Sequence, residues 1–269
     1  MKIPGIENLI FFTDLDGTLL DHETYSYVPA LEALDALKNW NVPLIMASSK
    51  TAAEIEPLRR ELGFEHCEAI VENGSGMIFS ENDQQIQSDT YHSLLEKISD
   101  IPSPYRDRFV GFSKWNAAEV SARTGLTLEA SGLAKKRQFS EPGIWQGNKE
   151  ELEVFSELLA EQGIMLQQGG RFISLSFGGN KVAFMKELIE KHSGGNSRRF
   201  SVALGDAPND MAMLEAADLG IVIPNLAHHG MDRIPVGGNI LRAIQSGPAG
   251  WNESVLDILN KAGSGGQIG

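Results

Sequence analysis

Short apolar runs alternate with longer stretches of helical periodicity in the first third of the chain. The segments NLIFFT and VPLIMAS are continuous apolar runs, which predict buried strands. The segments PALEALDALKNW and TAAEIEPLRREL repeat apolar residues every three to four positions, which predicts helices. Thr51 and Glu54 have the spacing of a capping box at the start of the second helix. Strands and helices in this alternation predict a parallel α/β sheet.

The pattern changes between about Glu81 and Gly179. The segment KEELEVFSELLAEQG predicts an amphipathic helix, and RQFSEPGIW predicts an extended segment. IMLQQGG and RFISLSF alternate around Gly169-Gly170, which indicates a β-hairpin. Helices mixed with antiparallel strands predict a small α+β domain inserted into the first one.

The last third returns to alternating strands and helices, as in RFSVALGD and LGIVIPN. We therefore expect a discontinuous core domain and an inserted domain. The final Gly/Ser-rich residues predict a disordered tail. The predicted ranges are residues 1–80 and 180–269 for the core, 81–179 for the insertion and 263–269 for the tail.

Composition and charge exclude some classes of binding partner but say little about the fold. The 269 residues have a formal net charge of −13, which argues against a surface for nucleic acid or for anionic membranes. The single cysteine, Cys67, excludes an internal disulfide, and no apolar run reaches the ~18 residues of a membrane span. The first residues lack the features of a secretory signal peptide, so we expect a cytoplasmic protein. The oligomeric state stays open.

Two acidic clusters follow predicted strands. Asp14 and Asp16 lie in DLDGT directly after NLIFFT, and Asp206 and Asp210 lie in GDAPND after RFSVAL. A simple turn or a helix cap would explain either cluster alone, whereas a calcium loop would need an acidic residue or Asn at Thr18. Carboxylates at the ends of neighbouring strands form a hard-cation site, and Mg²⁺ is the cation we predict.

Two further segments suit an anionic ligand. In IMASSKT, a strand ends at Ser48 and leads through hydroxyls into a helix N-terminus, an arrangement that binds phosphate as well as serving as an N-cap. Lys181 opens a predicted helix after a glycine pair. A solvated lysine is the commoner case, but a site built from carboxylates needs such a cation before a second anion can approach.

The order of these segments resembles the four motifs of the haloacid dehalogenase-like phosphatases. DLDGT, IMASS, Lys181 and GDAPND occur in that order, and the insertion between the second and third motifs is similar to a C2 cap of the C2B type. SSKTAAEI, ENG, KRQFSEP, QGGRF and GPAGW extend a resemblance to the mannosyl-3-phosphoglycerate phosphatase family over nearly the whole chain.

This resemblance implies a three-layer, Rossmann-like α/β core with a parallel sheet, plus an inserted α+β cap domain. The activity it implies is the Mg²⁺-dependent hydrolysis of mannosyl-3-phosphoglycerate, a small sugar phosphate, with glucosyl-3-phosphoglycerate as a second candidate. Asp14 would attack phosphorus and form an aspartyl-phosphate. Asp16 would protonate the leaving hydroxyl and then activate the hydrolytic water.

The resemblance also implies which groups hold the metal and the phosphoryl oxygens. Mg²⁺ would bind Asp14, the backbone carbonyl of Asp16 and Asp206, with Asp210 completing the shell directly or through water. The groups on the phosphoryl oxygens would be Ser48, Lys181 and Asn209.

The leaving group would present a glycerate carboxylate and a hexose. Candidates to bind it lie beside the phosphate-binding segment IMASSKT (the phosphate cradle), in the loop after a core strand, and in the cap. Arginine is a good candidate because its guanidinium group binds carboxylates and hydroxyls. These candidates are Ser49, Lys50, Thr51, Glu72, Asn73, Arg137 and Arg171.

Three other functions stay open at this point. The first is a phosphatase for another sugar phosphate, such as sucrose-phosphate or trehalose-phosphate. The second is a phosphomutase, against which the position of the cap after the second motif argues. The third is a sugar-phosphate sensor, against which the intact set of Asp14, Asp16, Lys181 and Asp206 argues.

Overall fold

The computed structural model describes residues 2–79, 89–169, 172–194, 197–225 and 237–265. In chain order the strands are β1 (Leu9–Thr13), β2 (Leu44–Ala47), β3 (Ala69–Val71), β4 (Gly76–Ile78), β5 (Phe109–Gly111), β6 (Ser140–Trp145), β7 (Met165–Gly169), β8 (Phe172–Ser176), β9 (Phe200–Gly205), β10 (Leu219–Val222) and β11 (Ile240–Arg242). The helices are α1 (Leu31–Asn39), α2 (Ala52–Leu62), α3 (Thr90–Ser99), α4 (Ser103–Arg106), α5 (Ala117–Thr124), α6 (Leu128–Ala134), α7 (Lys149–Glu161), α8 (Lys181–His192), α9 (Met211–Ala216) and α10 (Gly247–Ser264).

Within the described residues, seven strands form the sheet of the core. Their order is β11-β10-β9-β1-β2-β3-β4, and all neighbours are parallel except the antiparallel pair β3–β4. Every residue of β1 is buried, which requires cover on both faces of the sheet. Helices provide that cover, as the prediction of continuous apolar strands requires. The core is thus the predicted α/β domain.

In a second unit, the cap, the described residues form a sheet of four antiparallel strands in the order β5-β6-β8-β7. Side chains alternate across this sheet, so that Phe109 joins an apolar cluster with Phe155 of α7, while Val110 packs with Trp115 and Val120 of the opposite cluster. Helices therefore cover parts of both faces, and the predicted α+β character of the insertion is confirmed.

Local signals in the sequence explain where the site-bearing helices begin. The Thr51 hydroxyl accepts a hydrogen bond from the Glu54 backbone N–H, and the Glu54 carboxylate accepts one from the Thr51 N–H, so the predicted capping box is present. Asn180 caps α8 by accepting from the Ala183 N–H at 2.7 Å. Each cap fixes the start of its helix, and predicted site residues lie there: Ser48, Ser49 and Lys50 in the loop before α2, and Lys181 as the first residue of α8.

The predicted boundaries between core and cap lie between observed elements or outside the described residues. The strands of the cap all lie within 81–179, but the limit near residue 80 falls outside the described residues, so these boundaries stay a prediction. Helix α10 continues through Ser264, two residues into the segment predicted to be a disordered tail, and ends at Gly265 in the left-handed conformation. Among the helices in the described ranges, none is both long and apolar enough to cross a membrane.

Candidate active site

The two acidic clusters meet because their strands are neighbours. Strands β1 and β9 pair in parallel, with Thr13 opposite Leu204, so both chains leave the sheet at the same edge. Asp14 follows β1 and its N–H donates to the Leu204 carbonyl at 2.9 Å. Asp206 follows β9 at the same level. The sequence could place both clusters at strand ends, and the strand order brings them together.

A glycine turn brings the DLDGT loop against Asp206. Gly17 has a φ of 84°, in the left-handed region, and a Cβ there would lie 2.6 Å from Asp206 Oδ2. The next residue, Thr18, is buried and donates from Oγ1 to Asp206 Oδ1 at 2.8 Å. This close approach is open only to glycine, which explains the DG dipeptide beyond its role as a turn signal.

Three buried carboxylates form a cluster that fits a metal ion. Asp14, Asp206 and Asp210 each offer an oxygen within 4.8 Å of the others. Asp210 Oδ2 accepts from the backbone N–H groups of Asp206 and Ala207, and Asn225 Nδ2 donates to Asp206 Oδ2 at 2.6 Å. An all-oxygen donor set with second contacts that fix each carboxylate suits a hard divalent cation.

Lys181 lies inside this cluster. Its Nζ is 2.7 Å from Asp210 Oδ1 and 3.2 Å from Asp14 Oδ1, and the side chain is only 5% exposed. Burial alone would lower the pKa of Lys181, but Asp210 and Asp14 outweigh burial and raise the pKa above its usual value. The lysine is therefore a fixed positive charge between two carboxylates.

The environment of Asp14 itself favours the neutral acid. Burial, followed by repulsion from Asp210, raises the pKa of Asp14 well above its usual range, against the lowering effect of Lys181. A carboxylate nucleophile must be ionised. A divalent cation bound by the three aspartates would favour the ionised form, which is a second reason why the cluster fits a metal.

The Asp16 carboxylate is not one of the three grouped carboxylates. Its Oδ2 lies 2.8 Å from Lys50 Nζ, and Lys50 also lies over the Tyr25 ring at 5.2 Å from the ring centroid. The other carboxylate oxygen of Asp16, Oδ1, is buried and accepts no hydrogen bond from the described residues. The two aspartates of DLDGT thus face different cations, Lys181 for Asp14 and Lys50 for Asp16.

The residues predicted to bind phosphate lie around the cavity that contains Asp14 and Lys181. Ser48 directly follows β2 and is buried. Its backbone carbonyl accepts a hydrogen bond from the Asn73 N–H at 2.9 Å. Asn209 Nδ2 lies 3.4 Å from Asn73 Oδ1, so the amides of two loops converge. Ser48, Asn73 and Asn209 all line the cavity that contains Asp14, Asp16 and Lys181.

That cavity, of about 760 Å³, lies between the core and the cap. Ser49 and Lys50 line it from the core, and Arg137 lines it from the cap. The cap sheet adds residues that sequence reasoning missed, because their strands were recognised but their cavity-facing side was not. These residues include Gln167, Gln168 and Phe172. Thr18 and Asn225, which hold Asp206, were also missed, since neither type is distinctive without a partner.

Three predicted substrate contacts have a different outcome. The Thr51 hydroxyl is fully buried, caps α2 and donates to the Leu133 carbonyl at 3.1 Å. The Glu72 carboxylate is also buried and accepts backbone N–H groups of the cap. Neither side chain lines the cavity, and their contact with substrate stays a prediction. Arg171 lies outside the described residues.

Comparison with known proteins agrees with this architecture. The sequence profile of a haloacid dehalogenase-like hydrolase family matches residues 11–121, from β1 into the cap. The structure of the sucrose-phosphatase from Synechocystis superposes with a TM-score of 0.61 at 15% identity, covering 93% of this chain and 98% of that one. Fold and site together define a haloacid dehalogenase-like hydrolase.

Two relatives narrow the class. A glucosyl-3-phosphoglycerate/mannosyl-3-phosphoglycerate phosphatase from Persephonella marina is 34% identical, with 94% of this chain and 98% of the relative aligned. A protein of the same description from Methanococcoides burtonii is 31% identical, with 94% and 97% aligned. The chain belongs to the mannosyl-3-phosphoglycerate phosphatase family, a family of phosphoric monoester hydrolases.

Proposed function

We propose that this protein hydrolyses mannosyl-3-phosphoglycerate, and glucosyl-3-phosphoglycerate as well, to the glycosylglycerate and phosphate. The observation that carries the proposal is one cavity that joins the Asp14–Lys181 cluster to two further cations, Lys50 and Arg137. The first cluster suits a phosphoryl group, and the further cations suit the glycerate carboxylate. Full-length similarity to two relatives named for these substrates supports it.

Asp14 is the proposed nucleophile. One of its carboxylate oxygens attacks phosphorus, the bond from phosphorus to the glycerate oxygen breaks, and an aspartyl-phosphate forms. Lys181, fixed 3.2 Å from Asp14, opposes the negative charge of the transferring group, together with Ser48 and Asn209. Mg²⁺, held by Asp14, Asp206 and Asp210 with the Asp16 carbonyl, would supply further positive charge to the phosphoryl oxygens and keep Asp14 ionised.

Asp16 is the proposed general acid and base. Its carboxylic acid donates a proton to the departing glycerate oxygen, since an alkoxide is a poor leaving group. The resulting carboxylate then takes a proton from the water that attacks phosphorus, and the bond to Asp14 breaks to release phosphate. Lys50, 2.8 Å from Oδ2, holds the side chain, and Oδ1, which accepts no hydrogen bond from the described residues, is the oxygen available for this transfer.

A panel of phosphate esters tests the substrate assignment. Phosphate release with Mg²⁺ is measured for mannosyl-3-phosphoglycerate, glucosyl-3-phosphoglycerate, mannosylfructose-phosphate, sucrose-phosphate and trehalose-phosphate. We expect the two glycerate esters to have the highest kcat/KM. If another ester reacts as fast as both, the protein is a phosphatase for a different sugar phosphate, and the glycerate assignment is wrong.

The Asp14→Asn variant is the matched control for the chemistry, because it keeps the size of the side chain. We expect it to fold with an unchanged circular dichroism spectrum and to release no phosphate from any ester of the panel. Activity within tenfold of wild type would refute Asp14 as the nucleophile.

A further inference from the structure

Glu72 adopts a backbone conformation that its residue type seldom accepts. It follows β3 with a φ of 51°, and the next residue, Asn73, has a φ of 59°, both in the left-handed region. Backbone of this kind persists only where the surrounding contacts over-determine it, and such positions concentrate at functional sites. The contacts of the Glu72 side chain therefore indicate what the loop is built to hold.

The carboxylate of Glu72 is buried in a nest of donors from the cap. Oε1 accepts from the Gln138 N–H at 2.9 Å, and Oε2 accepts from the N–H groups of Phe139 at 3.2 Å and Ser140 at 2.8 Å. The Ser140 hydroxyl donates to Oε2 as well, at 2.7 Å. Three successive backbone donors and a hydroxyl satisfy a buried charge, so this contact fixes the start of β6 on the core.

Packing supports the same contact. The Phe139 ring lies against Gly76 of the core, where a Cβ would lie 2.2 Å from a ring carbon. Only a residue without a side chain leaves room for the ring there. The KRQFSEP segment, whose role the mechanism leaves open, is thus seated on the hairpin that follows β3.

Arg137 is held at the cavity wall by this arrangement. Its Nε lies 3.3 Å from Glu72 Oε2, and its Nη2 donates to the Ser140 hydroxyl at 2.7 Å. Its Nη1 lies 3.4 Å from the Ser49 carbonyl, in the loop of the phosphate cradle. The side chain is only 8% exposed but lines the cavity. One side of the guanidinium is therefore anchored through Glu72, while the residue remains part of the cavity wall.

We propose that Glu72 is a positioning residue for substrate recognition, which acts through Arg137 and sets the preference for a leaving group that carries a carboxylate. This inference rests on the proposed function and adds a residue to it. A guanidinium whose rotamer is fixed before binding loses less conformational entropy when it meets an anion. Glu72 touches no substrate in this scheme; it determines where the guanidinium is.

The test compares two esters in the Glu72→Gln variant. Gln keeps the shape of the side chain but replaces one acceptor oxygen by an NH₂ group that faces backbone donors. The esters are glucosyl-3-phosphoglycerate and its glycerol analogue, in which CH₂OH replaces the carboxylate. We expect the preference for the carboxylate ester, as a ratio of kcat/KM values, to fall by about 10- to 100-fold, as for one hydrogen bond to a charged group, chiefly through KM.

A double-mutant cycle with Arg137→Ala tests whether Glu72 acts through Arg137. We expect Arg137→Ala to lose the same preference, and the double variant to lose no more than Arg137→Ala alone. If the losses multiply, or if Glu72→Gln slows both esters equally, the positioning role is wrong. Should Glu72→Gln fail to fold, Arg137→Lys decides, because it leaves the backbone contacts of Glu72 in place and is expected to lose the preference too.

Glu141→Gln is the matched control. Glu141 is likewise a buried glutamate, but it belongs to β6 of the cap, and it accepts from the Tyr91 hydroxyl at 2.6 Å and the Ser113 N–H at 2.8 Å, away from the cavity. We expect this variant to keep the wild-type preference. An equal loss in Glu141→Gln would mean that removing any buried carboxylate has this effect, which overturns the proposal.

The ester preference of the wild type distinguishes failure of the proposed function from failure of the positioning role. If the wild type does not prefer the carboxylate ester, the proposed function has failed by itself. The cycle is then run on the ester of the panel that the wild type hydrolyses best. Coupling between Glu72 and Arg137 on that ester supports the positioning role, and an Arg137→Ala variant without effect there overturns it.

Discussion

Replacing Lys181 by Met should separate metal affinity from turnover. The substitution keeps an unbranched side chain in α8 and removes the charge between Asp210 and Asp14, which lie 2.7 and 3.2 Å from the ammonium. At an effective dielectric constant of about 20, these contacts are worth about 6 and 5 kcal/mol before desolvation. Loss of hydration offsets most of that gain, and removing one member of a buried ion pair costs about 3–5 kcal/mol.

We expect the lower end of that range in the metal-free protein. The pKa of Asp14 is already raised by burial, so this carboxyl can take up a proton when the lysine is removed. A loss of about 3 kcal/mol lowers the melting temperature by about 6–12 °C, at about 2–4 °C per kcal/mol for chains of roughly this size. The assay is a thermal melt at neutral pH in a chelator.

Metal affinity should change in the opposite direction from stability: the variant should bind Mg²⁺ more tightly than the wild type. The variant site carries one positive charge fewer, so we expect titration calorimetry to show Mg²⁺ binding at least about tenfold tighter than in the wild type. Turnover should nevertheless fall by about 10²- to 10³-fold, because a fixed cation near the phosphoryl group is lost. Lys186→Met, an exposed position on the same helix, is the control and should change none of the three quantities.

Two results would refute this reasoning. A melting temperature in chelator within about 2 °C of the wild type would mean that the lysine does not offset the buried carboxylates. Weaker Mg²⁺ binding in the variant would mean that Lys181 organises the metal site and does not compete with the cation.

Three further substitutions test contacts that stabilise the core domain. Gly17→Ala should destabilise the protein by about 1–2 kcal/mol in urea unfolding and reduce turnover, because φ is 84° and the Cβ would displace Asp206; a fully active variant would contradict this. Trp251→Phe should cost about 1 kcal/mol, since the indole N–H donates to the buried Thr13 hydroxyl at 3.0 Å, and an unchanged urea midpoint would contradict it. Burial would raise the pKa of Glu68, but hydrogen bonds with His192 and Lys191 of α8 lower it to about 2. Glu68→Gln should therefore lose about 1–2 kcal/mol of stability above pH ~4.5, and the difference from wild type should vanish as the pH falls towards 2. A pH-independent difference would refute the assignment.

The aspartates of the proposed catalytic site could be predicted from the sequence because they directly follow apolar strands. Asp14 and Asp206 each follow a continuous apolar run, and the parallel pairing of β1 with β9 makes their meeting a geometric consequence of the fold. Lys181 was predicted from the need for a cation and from motif order. Its place between Asp14 and Asp210 depends on how α8 packs, which periodicity does not specify.

The leaving-group end was harder to predict because polar side chains serve structure and binding alike. Thr51 was predicted as a substrate contact from its position beside the phosphate-binding segment, and Glu72 from its place in the loop after a core strand. The structure engages the first in a helix cap and the second in a long-range contact with residues 138–140, some 66 positions later in the chain. A contact of that separation leaves no local pattern, and the same holds for the cavity-facing side of Gln168 on β7.

The central claim is that Asp14 carries the phosphoryl group during turnover. The direct measurement is a rapid acid quench of the protein reacting with glucosyl-3-phosphoglycerate and Mg²⁺, followed by proteolysis and mass spectrometry of the peptide that contains Asp14. We predict a phosphorylated Asp14 in the wild type at early times and none in Asp14→Asn. Steady phosphate release with no phosphoryl group ever detected on Asp14, or with the group on another residue, would contradict the account.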